Sequence, residues 1–96
     1  LLYALICTDK QGALQIRLDN RPAHLDYLNS FGDRLKGAGP FLNDAGDPAG
    51  SLVIVEAASK EDAAEIAAND PYAKAGLFES VDIRPWKWVV KNPEAN

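Results

Sequence analysis

The apolar positions of the chain fall into two kinds of pattern. Leu2 to Thr8 alternates with period two, and both of its rows, Leu2-Ala4-Ile6 and Tyr3-Leu5-Cys7, are apolar. Such a run predicts a strand covered on both faces. Asp9-Lys10-Gln11-Gly12 breaks it, and Ala13 to Arg17 is expected to form a short helical turn. Asn20-Arg21-Pro22 then predicts a helix start, with Asn20 as N-cap and Pro22 in the first turn. Leu25, Leu28, Phe31 or Gly32, and Leu35 supply a stripe at helical spacing, which carries the helix to about Lys36. Gly37 and Gly39 are expected to end it.

The period returns to two for Ala38 to Leu42 and again for Ser51 to Ala57, separated by the turn-rich Asn43 to Gly50. This predicts a hairpin. Ser59 begins a second helix with Asp62 three positions later, a near capping box. Asp70-Pro71 opens one more turn and Gly76 closes it. Phe78 to Val90 reads as a long strand bent at Pro85, and residues 91–96 as a polar tail. The order β-α-β-β-α-β is the ferredoxin-like arrangement, an α+β fold with helices on one face of a four-stranded antiparallel sheet. The whole chain, residues 1–96, reads as one domain. Because the strands are apolar on both faces, the face without helices must meet something, and a second copy of the chain is the simplest partner.

Composition narrows the partners. A net charge of -4 over 96 residues argues against nucleic acid and against an anionic membrane surface, both of which need a basic footprint. The first apolar run is too short to cross a bilayer. One cysteine, Cys7, allows no internal disulfide, and a cytoplasmic location is the expectation.

Few residues can carry chemistry. His24 is the only histidine. It is either a half-buried helix residue or an acid–base group suited to neutral pH. Asp70, before Pro71, is a natural N-cap, and a carboxylate can cap with one oxygen while orienting a histidine with the other. One His and one Cys make no zinc site of the usual kind. Cys7 lies mid-strand and reads as an inert core thiol. Gly37-Ala38-Gly39-Pro40 reads as a turn that brings backbone close to a pocket. Trp86 and Trp88 read as core or dimer contacts rather than a platform for bases.

Taken in order, these segments resemble the YciI-like (YCII-related) family. The resemblance rests on Arg21-Pro22-Ala23-His24-Leu25-Asp26-Tyr27-Leu28, Gly37-Ala38-Gly39-Pro40-Phe41-Leu42 and Gly50 to Ala57. Glu61-Asp62-Ala63, Asp70-Pro71-Tyr72, Ala75-Gly76-Leu77-Phe78 and Ile83-Arg84-Pro85-Trp86 complete it. It implies a ferredoxin-like domain that pairs through its sheet as a dimeric α+β barrel, and a pocket with a paired histidine and aspartate, here His24 and Asp70. One branch of that family eliminates chloride from chlorinated hydroxyquinols. Two readings follow. In the first the chain is an enzyme without a cofactor, acting on a small molecule. His24 moves a proton and Asp70 fixes its tautomer. Tyr72, Gly39 and Pro40 line the pocket, and Arg21 is either a solvated charge or the holder of an anionic substrate group. In the second reading the chain is a non-catalytic dimer that binds a metabolite or a protein. A pocket enclosing His24 favours the first, and an exposed His24 without a cavity favours the second.

Overall fold

The computed structural model describes residues 1–94, so the last two residues of the expected polar tail, 95–96, lie outside the described part. The elements are β1 (Leu2–Asp9), α1 (Leu14–Asn29), a 3-10 turn at Gly32–Arg34, β2 (Leu35–Leu42), β3 (Pro48–Glu56), α2 (Lys60–Ala68), α3 (Pro71–Lys74) and β4 (Phe78–Trp86). The four strands form one antiparallel sheet in the order β2-β3-β1-β4. This is the expected ferredoxin-like α+β domain.

The sheet is two-faced because alternate residues point to opposite sides. Tyr3, Leu5 and Cys7 of β1 lie opposite Val55, Val53 and Ser51 of β3, and all six are buried against the helices. Leu28 of α1 and Ala63, Ile66 and Ala67 of α2 complete this core. The Tyr27 hydroxyl donates to the Ile66 carbonyl at 2.7 Å and joins the two helices. Ser59 caps α2 by accepting from the Asp62 N–H at 3.1 Å, and Asp62 accepts in turn from Ala58 N–H. The opposite face carries Ala4, Ile6, Leu52, Ile54, Phe41 and Trp86, which line a shallow groove of about 600 Å³. Phe41 and Trp86 are exposed there.

The element boundaries differ from the sequence expectation in three regions. First, α1 begins at Leu14, so the expected short turn and the helix after it are one helix. Asn20 does not cap it. The residue is internal, and its side chain donates to the Ile16 carbonyl at 2.9 Å. Pro22 is internal too. It withholds one N–H from the ladder, a loss of about 3 kcal/mol in a free helix. Tertiary contacts override that loss, chiefly the burial of Arg17 and His24 on either side of it.

Second, α1 stops at Asn29, and Leu35 and Lys36 belong to β2. Gly32 takes a left-handed φ of 55° and turns the chain, and Leu35 then pairs with Val55. Gly37 and Gly39 therefore lie within a strand rather than at a helix end. β3 likewise starts earlier, at Pro48, because the Asn43 side chain closes a tight turn by accepting from the N–H groups of Ala45 and Asp47, each at 3.0 Å.

Third, β4 ends at Trp86 and does not reach Val90. Its partner decides this: Trp86 pairs with Leu2, where β1 begins, and no strand residue remains to pair beyond it. Pro85 stays in register opposite Tyr3 and makes no bend. The Trp86 and Trp88 rings lie 5.6 Å apart at the edge of the open face.

Gly50 of β3 pairs with Thr8 of β1, and a Cβ there would sit 2.5 Å from the Cys7 carbonyl oxygen. That atom is backbone and cannot step aside. Gly50→Ala should therefore lower the urea midpoint by the equivalent of about 1–3 kcal/mol, the usual range for overpacking. A midpoint unchanged from wild type would show that the two strands can separate freely.

Candidate functional site

Helix α1 faces β2 and β3 across a cavity, to whose lining it contributes Arg17, Arg21, His24 and Leu28. Arg17, His24 and Leu28 are buried, whereas Arg21 is exposed at the rim. This stripe is cationic as well as apolar, so the helix shows weak hydrophobic periodicity over its first half.

His24 is only 7% exposed and Asp70 only 5%. The His24 Nδ1 lies 2.9 Å from both oxygens of Asp70. Asp70 is also the N-cap of α3, and its Oδ1 accepts from the Tyr72 N–H at 2.9 Å. The carboxylate is an acceptor in both contacts. In the neutral imidazole the hydrogen therefore belongs on Nδ1, and Nε2 keeps the lone pair. Pro71 suits the position after the cap, since its missing N–H would have had no helical partner. The Tyr72 ring stacks on His24 with centroids 3.9 Å apart and planes 13° apart. Its other aromatic neighbour is Phe78, edge-on at 6.1 Å.

Arg17 forms a second buried constellation. Its Nε and Nη2 grip Asp9 at 2.7 and 2.9 Å, and Nη2 also donates to the Ser51 hydroxyl at 2.9 Å. The guanidinium carbon lies 4.7 Å from the centre of the Tyr72 ring. Burial works to lower the Arg17 pKa, but the hydrogen bonds and charge of Asp9 outweigh it and hold the proton more firmly than usual. For Tyr72, burial raises the pKa of the phenol and Arg17 offsets part of that rise.

Arg17, Arg21, His24, Ser51 and Tyr72 line one cavity of about 230 Å³, whose opposite wall is Ala38, Gly39 and Pro40 of β2. The structure thus brings together every residue expected at the site. His24 and Asp70 meet, and Arg21, Gly39, Pro40 and Tyr72 lie on the cavity wall. Asp70 stands behind His24 rather than in the cavity lining. The sequence reading missed Arg17, Asp9 and Ser51. A signal for Arg17 existed. Arg17, Arg21 and His24 are spaced i, i+4, i+7, but the spacing has meaning only if the helix starts before Arg17. Among the described residues no three metal-ligating side chains gather, and no helix is long and apolar enough to cross a membrane.

The fold and the site define a class: a small ferredoxin-like domain with a buried histidine–carboxylate pair at the edge of a cationic cavity. A family model for the YCII-related domain matches residues 1–87, and the chain belongs to that family. Protein YciI of Escherichia coli is 42% identical over 97 residues, an alignment spanning 93% of this chain and 99% of the relative. An uncharacterized protein of Haemophilus influenzae is 33% identical over 99 residues, with the same coverage of 93% and 99%. Among solved structures, 5-chloro-2-hydroxyhydroquinone dehydrochlorinase of Burkholderia phenoliruptrix, in complex with 2,5-dihydroxybenzoquinone, superposes with a TM-score of 0.83 at 37% identity. That match covers 91% of this chain and 94% of the dehydrochlorinase. A NIPSNAP family protein of Agrobacterium tumefaciens, 21% identical with a TM-score of 0.58, shares the fold over 98% of this chain and 97% of its own.

Cys7 is buried in the sheet core away from the cavity lining. Burial first, and then the charge of Asp70, pushes its thiol up to about 12. A thiol reagent at pH 8 should leave the native protein unmodified and label it on unfolding in urea. The stability associated with this thiol is complete below the ordinary thiol range, about 8.5. It should fall as pH rises from there toward about 12, because only the unfolded chain ionises in that window. Rapid labelling of the folded protein would contradict this.

Proposed function

We propose that this chain is an enzyme that works without a cofactor, in which His24 removes a proton from a small molecule and an elimination follows. One observation carries the reading: the His24 Nδ1 is held by a buried carboxylate, which leaves Nε2 as the free nitrogen of a residue that lines a partly enclosed cavity. Asp70 orients the ring and stabilises the imidazolium that forms, the role a buried carboxylate plays beside a catalytic histidine. The stacked Tyr72 ring presents its electron-rich face to that cation. Likeness to a dehydrochlorinase supports an elimination, in which a proton and a leaving group depart from one substrate.

Arg21 attracts an anionic substrate. The other three arginines each pair with an aspartate, Arg17 with Asp9, Arg34 with Asp62 and Arg84 with Asp82. Among the described residues Arg21 has no such partner, and it stands at the cavity mouth. A binding module would be favoured by an exposed His24 with no cavity. A His24 at 7% exposure beside a cavity supports the enzyme reading instead.

The working form is a homodimer joined through the open sheet faces, and its location is the cytoplasm. An apolar face carrying Ile6, Leu52, Ile54, Phe41 and Trp86 supports the first. A lone, buried, unpaired cysteine supports the second. Light scattering at micromolar protein should give twice the chain mass, with an interface of roughly 1,200–2,000 Å² or more. A stable monomer at that concentration would sink the dimer.

Asp70 has two tasks, and its variants separate them. Asp70→Ala removes both the cap and the histidine's partner, so it should melt early as well as lose activity. Asp70→Asn caps helices about as well as Asp and should keep the fold within ~1 kcal/mol of wild type. It should nonetheless lower turnover of a chlorinated hydroxyhydroquinone, or of whichever substrate a screen identifies, by about 10²–10⁴-fold. His24→Gln should do the same, and the double variant should be little worse than either single one. Full activity in Asp70→Asn would reduce Asp70 to a helix cap.

A further inference from the structure

Removing a proton from carbon leaves an electron pair that must settle on an electronegative atom. In a cavity walled largely by protein that atom needs a hydrogen-bond donor already in place. His24 cannot be the donor, because it is the base. Two turns earlier on the same helix face stands Arg17, only 3% exposed. Its contacts with Asp9 and Ser51 engage Nε and Nη2, and Nη1 has no acceptor among the described residues. Nη1 is not sealed in the core either. Among the described residues no buried side-chain nitrogen or oxygen lacks a partner, and Arg17 lines the cavity that His24 lines. The Tyr72 hydroxyl stands beside it. The residue is 1% exposed, its ring lies against both His24 and Arg17, its oxygen is within hydrogen-bonding reach of the Arg17 guanidinium, and its own hydrogen has no acceptor among the described residues while the residue lines the cavity.

We propose that Arg17 Nη1 and the Tyr72 hydroxyl together form an oxyanion-binding site, and that the substrate is a small carbonyl compound or phenol whose oxygen takes up charge as His24 takes the proton. This rests on the reading of His24 as the base. The C–H bond breaks and its proton passes to Nε2. Its electron pair becomes the C=C bond of an enolate, and the carbonyl π pair moves onto the oxygen held by Arg17 and Tyr72. When a halide stands on the adjacent carbon, the oxygen pair returns to re-form C=O. The C=C pair shifts to the halide-bearing carbon, and the halide leaves with its bonding pair. The sum is loss of a proton and a halide ion, with no change of oxidation state, so no redox partner is needed.

The surroundings suit this role. Asp9 neutralises Arg17, so the guanidinium supplies directed N–H groups rather than net charge, and its bidentate grip removes the freedom a surface arginine would have to give up on binding. Burial outweighs the pull of Arg17 and keeps the proton on the Tyr72 phenol, so the hydroxyl is present as a donor at neutral pH. Arg21 at the rim draws an anion in, whereas Arg17 meets the charge that develops inside.

4-Nitrophenol tests the site directly, because its phenolate absorbs in the visible and its neutral form does not. With wild-type protein in excess, the bound dye should ionise about one pH unit below the free dye, which is an about tenfold preference for phenolate. Tyr72→Phe keeps the ring against His24, and Arg17→Lys keeps a cation for Asp9. Each should abolish most of that shift. His24→Gln should retain it, so the result stands apart from the base assignment, which would fail separately if His24→Gln kept its turnover. Should Arg17→Lys not fold, judged by circular dichroism, Tyr72→Phe decides alone. The proposal is overturned if the wild-type protein produces no shift, if the shift survives in Tyr72→Phe, or if it vanishes only in Arg21→Gln or His24→Gln.

Discussion

One carboxylate joins the parts of this protein that are distant in sequence. Asp70 starts α3 by accepting the Tyr72 N–H, and it holds His24 of α1 through the same side chain. Without that link the short helix α3 has little reason to form. Four residues cannot stabilise a helix by themselves, since nucleation is unfavourable. The position of Tyr72 follows from α3, and the stack of Tyr72 on His24 follows from both. The orientation of the imidazole is therefore set from two directions, by a hydrogen bond in its plane and by a ring against its face. A side chain fixed in this way has one rotamer available, which is the condition for placing a reactive nitrogen to within a fraction of an ångström.

Arg17 and Asp9 make a parallel link between α1 and the end of β1. A fully desolvated ion pair is weak evidence of net stabilisation, because burying two charges costs about as much as their attraction returns. It does define geometry. Asp9 sits at a shift of register between β1 and β4, where the ladder is already irregular and a side chain can be redirected. The pair fixes the first half of α1 against the end of β1, ahead of Pro22 in the middle of the helix.

The parts of the molecule that were legible from sequence share a physical property. β1 and β3 were readable because their rows are largely apolar on both sides, a pattern fixed by local alternation alone. α2 was readable because Ser59 and Asp62 form its start within a few residues. His24 and Asp70 could be singled out as the sole histidine and an Asp-Pro cap, and their meeting across 46 positions was expected from a family likeness rather than from spacing. The first half of α1 was not legible. Its buried side carries Arg17 and His24 instead of a leucine stripe, and Asn20-Arg21-Pro22 imitates a helix start in every local respect. What overrides that imitation is an ion pair with β1 and a hydroxyl on β3, and neither leaves a trace in the sequence near Arg17. The same gap hid Arg17 itself. The extent of β4 failed for a related reason: strand length depends on where the neighbour stops, and Leu2 is 84 residues away from Trp86.

The strand order leaves β2 and β4 as the two borders of the sheet, and each contains a proline, Pro40 and Pro85. A proline has no N–H to offer a further strand, so each border is a poor template for adding another chain in line. The chain keeps a broad apolar sheet face open while both of its lateral borders are blunted. Growth into ribbons or fibrils, which proceeds through such borders, is disfavoured at its first step. The flat of the sheet has no such block, and a surface laid across it would leave nothing for a further copy to extend.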